Sequence, residues 1–513
     1  MKLRLFVFFA LVFTLFTSRE PPWADAHVTY DTTQALVDRW ALDVHTEGGP
    51  PWFYAHHDHK KYGVFPLGNV VAMIPGYLAY KLAKHASFLP DKPLFAFCSH
   101  LSPTLLMAGV CTLFFALCRR RGVTARWSLF ATLALGFTTF VFIYARAPYS
   151  EAVQTMVLMW VVERTLDQGE DPTTSGLAWL ACACGVLINT KLVYVLLLPF
   201  IAAYIVEKAR RRRELGAIWR GLPLAILVFA ELVGVALWHN HMKTGSIFDS
   251  GYQIPNGVFS GDLLPGLYGF VLSPGKSMFL YSPPLILGVL GLPTAWRRRR
   301  LETMFLLSMI VVVMLFNAKF RHWHADYCWG PRHLVGVTPL VLLLAFPWLP
   351  EAMDRGRRRL RQAALGVTLG LGLCVQLLGG VFYWDHYIRI LIAVKDQTGA
   401  SGWFLENLSH GHYIPEFSPI RGHVWMLRHF VRQDPNLDRD APWKPIIPQP
   451  ADLSDAWSRL RLDWWPLDWV DPKGKPVLPG VLLVAFFSGA AIFSTVGLVG
   501  AARRVRLSEP RSK

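Results

Sequence analysis

Apolar runs long enough to cross a bilayer recur along almost the whole chain, separated by short blocks of arginine. Lipid offers a backbone amide no partner, so runs of this kind are confined to helices that satisfy their own hydrogen bonds. They fall at 94–118, 127–144, 149–165, 176–189, 191–207, 219–238, 277–296, 301–317, 333–350, 363–383 and 479–500, after an N-terminal run at 1–17. With 53% hydrophobic residues and a mean hydropathy of +0.32, the chain reads as an all-α polytopic membrane protein. Its net charge of +17 would point to nucleic acid in a soluble protein. Here the arginines are clustered between spans, which is the pattern of cytoplasmic loops, and no nucleic-acid partner is expected.

Those arginine blocks decide an ambiguous segment, 66–84. If it crosses, Arg119–Arg121, Arg210–Arg213, Arg297–Arg300, Arg357–Arg359 and Arg503–Arg504 all fall outside the cytoplasm. If it stays on the surface, all five fall inside with Lys2 and Arg4, as the positive-inside rule demands. Pro66, Gly68, Pro75 and Gly76 favour the interfacial or re-entrant reading. The expectation is about twelve spans in a bacterial inner membrane with both termini cytoplasmic. The N-terminal run is either a retained span or a signal peptide cut after Ala24-Asp25-Ala26; its apolar part ends far from Ala26, which favours retention. Three parts are expected: a membrane module at 1–383, an external segment at 384–478, and a last span with its tail at 479–513.

In this topology all 17 histidines lie outside the membrane or near the outer ends of spans. The first external loop, 18–93, carries His56, His57, Asp58 and His59, which are ligand types, but adjacent residues rarely converge on one metal. A divalent metal would need partners from elsewhere, such as His322 or His324. The tryptophans of 384–478 (Trp443, Trp457, Trp464, Trp465 and Trp469) read as interfacial indoles. Asp438-Arg439-Asp440 resembles the acidic triplet of soluble sugar transferases, but one such triplet is a weak signal and a solvated turn accounts for it better. There is no P-loop, dinucleotide fingerprint or HExxH, so no nucleotide cofactor is expected.

Two external carboxylates and three cations carry the chemical argument. Asp31 follows Tyr30 and precedes an amphipathic run (Ala35, Leu36, Trp40, Val44), so it is placed either to cap a helix together with Gln34 or to act as a general base at the membrane surface. Glu151 stands in the first turn of a span, where an acid complements the helix dipole and where an ionisable group is also a functional candidate. Lys191, Lys276 and Arg332 are outer-side cations fit to meet a phosphate or to snorkel. Lys276 follows a Pro-Gly turn that opens a span, and Trp329-Gly330-Pro331 fixes the direction of Arg332.

In order along the chain, Tyr30-Asp31, KKYGVFPLGNVVAMIPGYLAYKLA (60–83), ARAPYSE (145–151), NTK (189–191), GSIFDSGY (245–252), LSPGKSMFLYSPP (272–284) and WGPRHL (329–334) resemble the motifs of GT-C glycosyltransferases. Among them the chain is most similar to the family-39-like bacterial relatives of protein O-mannosyltransferase and aminoarabinose transferase. The resemblance covers most of residues 1–383. It implies a GT-C-like helical bundle and transfer of a sugar from a polyprenyl-phosphate donor to a lipid, glycan or protein acceptor. It further implies Asp31 as catalytic carboxylate, Glu151 as second acid, and Lys191, Lys276 and Arg332 near the lipid phosphate. Many relatives have a second acid directly after the catalytic Asp, whereas Thr32 stands here, which bears on metal dependence. The other readings are a flippase or transporter of lipid-linked sugars, which would place functional groups at mid-membrane, and a non-catalytic envelope assembly protein.

Overall fold

The basic start and the phenylalanine-rich run after it form α1 (Lys2–Leu15), the first of a series of helices built on the apolar runs. In this computed structural model residues 1–45, 51–85, 90–252, 257, 259–325, 328–345, 358–399, 411–470 and 477–508 are described. The protein is an all-α polytopic membrane protein; strands among the described residues are confined to one hairpin, β1 (Tyr54–His57) and β2 (Lys60–Gly63).

Among the described residues six helical segments are long and apolar enough to cross a bilayer: Asp91–Arg120, Leu192–Arg212, Leu215–Thr244, Arg300–Lys319, Gln362–Val381 and Leu478–Ala501. The remaining expected spans are helical but short or interrupted, except Glu151–Glu170, which has 20 residues but carries Glu163, Arg164 and Asp167 as well as its terminal acids. The helix α1 has 14 residues, about 21 Å at 1.5 Å per residue, which is less than a hydrocarbon core of about 30 Å. The run at 127–144 is split into α6 (Ala125–Thr138) and α7 (Phe140–Ala145), and that at 277–296 into α13 (Met278–Tyr281) and α14 (Leu285–Arg298). The two breaks answer one another, because Ser282 Oγ in the second accepts from Phe140 N in the first at 3.0 Å. Broken helices are tolerated at membrane depth when neighbours supply such partners. Of the run at 333–350, residues 346–350 lie outside the described set; the rest is a 3-10 turn, Arg332–Val337, leading into α16 (Thr338–Leu343).

Central and peripheral helices differ in burial. Asp91–Arg120 comprises α4 (Asp91–Ser99) and α5 (Leu101–Arg120), with 67% of its apolar window inside the molecule; for α11 (Leu215–Thr244) the figure is 6%. The inner helices α5, α8 (Glu151–Glu170) and α9 (Thr174–Thr190) therefore form the core, and α11 lies outside against α9. The ambiguous segment 66–84 folds as α3 (Leu67–Lys84) with Pro75 inside it, packed on α2 (Asp25–Arg39) and α4. The arginine blocks described gather at one end: Arg121 Nε donates to Glu302 Oε1 at 2.6 Å, and Arg299 donates to the Arg121 carbonyl at 3.2 Å.

The segment after Val381 has a core of its own around Tyr387, Trp425, Met426 and Trp443, with helices Asp385–Thr398 and Pro419–Arg432. Here the structure corrects the reading of the tryptophans: Trp443, Trp465 and Trp469 are at most 1% exposed and serve as packing residues, not interfacial indoles. Trp465 packs on Phe97 of α4 with ring centroids 4.7 Å apart. The core around Tyr387 is small and needs large side chains to exclude enough water, and the indoles of Trp425 and Trp443 supply the area.

Candidate active site

Pro21, Pro22 and the chain turn at Ala24 (φ 53°) precede α2, so that helix starts at Asp25, with Ala24 and not Asp31 in the N-cap position. Asp31 is thus buried in the second turn and is no N-cap, which removes the capping-box reading with Gln34. The helix is held by Tyr30 Oη donating to the Ser99 carbonyl at 2.7 Å and by Thr33 Oγ1 donating to the Val70 carbonyl at 3.0 Å. Its Val28 and Thr32 face Gly63 of β2, where a Cβ would lie 2.8 Å from Val28 and 2.9 Å from Thr32. Asp31 therefore lies toward the hairpin, with His27 Nε2 3.5 Å from its Oδ2. Burial first, and then the charge of Asp31, push the Tyr54 phenol above its usual range.

Six residues along α2 correspond to about 9 Å of rise and a different face, so Asp25 looks elsewhere. It meets Arg332, whose guanidinium pairs with both Asp25 oxygens and whose Nε donates to Glu151 Oε1 at 2.7 Å. The Arg332 carbon Cζ stands 4.3 Å from the centre of the Tyr149 ring, a cation–π contact that fixes the plane of the guanidinium. Glu151 opens α8 as expected, and its Oε2 is buried with no hydrogen-bond partner among the described residues. Lys191, between α9 and the helical turn that follows, lies within electrostatic reach of Glu151, Arg332 and Asp25. Its Nζ donates to Asn317 Oδ1 at 3.4 Å, a long contact.

Three of the expected residues, Glu151, Lys191 and Arg332, thus come together, from chain positions far apart. Asp25 joins them, a residue that the sequence reading places only within Ala24-Asp25-Ala26 and not among the candidates. The signal available was an acid in the first turn of an amphipathic helix, the same signal that singled out Glu151.

Lys276 occupies a different place from the one expected of a phosphate ligand. It is fully buried, and its Nζ donates to the carbonyls of Cys328 at 2.6 Å and Gly330 at 3.2 Å. It therefore ties down the turn that carries Arg332, in which Gly330 has φ +65°. The backbone N–H of Gly275 in turn donates to the His412 carbonyl at 3.0 Å, joining this turn to the C-terminal segment.

The five histidines that are candidate metal ligands divide between two places. His56, His57 and His59 sit on the hairpin, whose turn is Asp58-His59 with φ 49° and 59°, and His57 packs beside His241 at 6.2 Å between centroids. His322 and His324 lie 6.0 Å apart by centroid, with His412 5.2 Å from His324. Among the described residues no group of three or more His, Cys, Asp or Glu side chains is placed to hold a metal. Asp438, Arg439 and Asp440 are engaged in ion pairs: Asp438 with Lys444 at 2.6 Å, Arg439 with Asp434 at 2.6 Å, and Asp440 with His429 at 2.7 Å and with Arg428.

A second unforeseen arrangement stands beside the cluster. Arg146 of the ARAPYSE motif is buried and donates to the carbonyls of Phe16 and Asp463, the latter at 2.7 Å. Asp463 Oδ1 also accepts from Ser18 Oγ at 2.6 Å and from Arg19 N at 3.0 Å. The C-terminal segment is thereby latched to the start of the loop that leads into α2.

No family model matches the chain, and no curated protein matches it. Among solved structures the chain is similar to ArnT from Cupriavidus metallidurans in the apo state, with 16% identity over 97% of this chain and 76% of that one and a TM-score of 0.48. It is likewise similar to the same protein bound to undecaprenyl phosphate, with 16% identity over 98% and 76% and a TM-score of 0.47.

Proposed function

We propose that the protein is a membrane glycosyltransferase that moves a sugar from a polyprenyl-phosphate donor to a cell-envelope acceptor on the outer face. The observation that carries this reading is the buried group of Asp25, Glu151, Arg332 and Lys191, in which one carboxylate oxygen of Glu151 has no hydrogen-bond partner among the described residues. Leaving a buried carboxylate oxygen unpaired costs about 1–3 kcal/mol or more, and a ligand hydroxyl would repay it. The ordered motifs of the sequence, of which Glu151, Lys191 and Arg332 meet at this place, give the same reading.

In this scheme Lys191 takes the donor phosphate, because its contact with Asn317 is long and its ammonium can turn to a phosphate oxygen. Arg332, clamped by Asp25 and Glu151, adds fixed positive potential, and Lys276 keeps the Arg332 turn in place. The acceptor oxygen attacks the anomeric carbon while the bond from that carbon to the phosphate oxygen breaks, its electron pair leaving with the polyprenyl phosphate. Glu151 Oε2 accepts a hydroxyl of the sugar or acceptor. The acceptor proton goes to Asp31, which has a half-exposed His27 beside it as an exit to solvent. Preorganised charge of this kind usually supplies the largest part of rate enhancement.

Asp25 as base is the second reading, favoured by its place in the cluster. Purified Asp31→Asn and Asp25→Asn proteins, assayed with a lipid-linked sugar and an envelope extract, separate the two. The base variant should lose about 100-fold or more in turnover, within the usual range for general base removal. If both variants transfer sugar at the wild-type rate, or if labelled lipid is moved across vesicles with no transfer, the glycosyltransferase reading fails.

A further inference from the structure

The helix α11 carries a carboxylate on the face that it turns to lipid. Its inner face is settled against α9: a Cβ on Gly185 would stand 2.6 Å from Leu232, and the Leu232 carbonyl accepts from Asn189 Nδ2 at 2.8 Å. Glu231, one residue earlier, is turned about 100° away around the helix, onto the exposed face of Leu227, Ala230, Gly234, Val235 and Trp238. A cavity of about 370 Å³ opens on that face, lined by Ala230, Glu231, Gly234, Val235 and Trp238. Glu231 makes no hydrogen bond or ion pair among the described residues.

Two exposed indoles of the same helix mark its depth in the membrane. Trp219 and Trp238, 68% and 50% exposed, are 19 residues apart, which is about 29 Å of helix and matches a hydrocarbon core of about 30 Å bounded by interfacial tryptophans. Glu231 stands seven residues inside Trp238, about 10 Å below that boundary, and farther still from the other. The long stems of Lys and Arg snorkel to the interface; a glutamate stem is too short to lift its carboxylate over that distance. Acids at membrane depth face the inside of a bundle or a partner charge as a rule, and this one faces out.

We infer that this face docks a membrane-spanning helix of a second protein, one that carries a lysine or arginine at the depth of Glu231 and forms an ion pair with it. In a medium of low dielectric a lone carboxylate is matched best by a cation. A second copy of this chain does not offer one, because its most lipid-exposed spans have no Lys or Arg within residues 221–242, 362–381 and 478–501. A lipid headgroup lies at the interface, out of reach of the carboxylate. Gly234, three residues on, has nothing within 4 Å of its Cβ position, so a partner backbone can come close beside Glu231. The inference does not depend on the proposed transfer reaction, since no residue of the candidate active site takes part.

The test uses the full-length protein, with a dye at a C-terminal tag, in phosphatidylcholine vesicles. Two dye-labelled synthetic peptides are the probes, each a leucine-alanine span of about 20 residues. One has a lysine about seven residues from one end and the other has leucine there. Energy transfer should show the lysine peptide associating with the wild type about tenfold more tightly than the leucine peptide. Glu231→Leu should abolish that difference, and Glu231→Gln should remove most of it. Gly234→Leu keeps the charge and fills the groove beside it, and should weaken binding of the lysine peptide about fivefold. Nothing of this chain stands near that Cβ, so the variant should keep the wild-type thermal midpoint. Equal association of the two peptides with the wild type, or an undiminished preference in Glu231→Leu, would overturn the inference. So would a dimer of the protein in vesicles that Glu231→Leu dissolves, since the occupant of the face would then be a second copy.

Discussion

Arg332 is the residue on which most of the candidate site turns. Replacing it with Gln takes from Asp25 and Glu151 the guanidinium that pairs with both, and breaking such a buried pair costs about 3–5 kcal/mol. We expect Arg332→Gln to lower the thermal midpoint markedly and Glu151→Gln/Arg332→Gln to recover part of the loss, since the double variant removes one of the two stranded charges. Additive losses would mean that the two side chains do not interact. His423 makes a pH-dependent contribution of predictable sign. It is fully buried in the helix Pro419–Arg432, beside Trp329 and with Nδ1 3.2 Å from the Leu378 carbonyl, and burial lowers its pKa to about 4. The unfolded chain, with an imidazole near 6.5, binds the proton first. Stability is therefore fully present above about pH 6.5 and is lost as pH falls toward 4, by about 3 kcal/mol over that interval. Unfolding followed from pH 7.5 to 4 should show this loss in the wild type and a shallower one in His423→Leu.

At the scale of elements, the junction of α14 with α16 depends on two glycines. A Cβ on Gly288 would stand 2.2 Å from the Val341 carbonyl oxygen, and one on Gly291 2.3 Å from that of Leu344. Both obstacles are backbone, so they cannot turn aside. Close approach through small residues is how helices associate where no water drives them together. Gly288→Val should cost about 1–3 kcal/mol or more by overpacking, whereas the same change at Gly216, with nothing within 4 Å of its Cβ, should leave packing untouched. Comparing thermal midpoints of the two variants in one detergent checks this. The same helices explain why span counting from apolar length stops short. A run such as 277–296 is apolar enough to read as one span, but Pro283 and Pro284 break it and Ser282 serves the neighbouring break at Thr139. The partner that makes such a break affordable comes from elsewhere in the chain.

For the whole molecule, the latch between the C-terminal segment and the first loop decides how the parts sit together. Asp463 receives Ser18, Arg19 and Arg146, so Asp463→Ala strands a buried guanidinium. We expect a loss of about 3 kcal/mol and faster limited proteolysis within 384–478, with the core helices still protected. Unchanged proteolysis would mean that the latch is not what holds the segment. Much of this organisation is legible in the linear chain. Apolar runs in lipid must be helical, arginine blocks must share a side, and Glu151 had to open a helix; each follows from the local chemistry of a stretch and its solvent. The three cations were legible as candidates because lone charges near span ends stand out against apolar neighbours. What the linear chain left open was which of them meet. Asp31 and Asp25 lie on one helix, whose period sets Asp31 beside His27, and only the packing of α2 turns the face of Asp31 toward the hairpin and Asp25 toward Arg332. Lys276 and Arg332 look alike as outer-side cations, but the tertiary structure buries one against carbonyls and sets the other between two acids. A residue type and its neighbours in sequence determine solvent preference and helical period. Partners brought from hundreds of residues away determine whether a charge is spent on the fold or kept for a ligand.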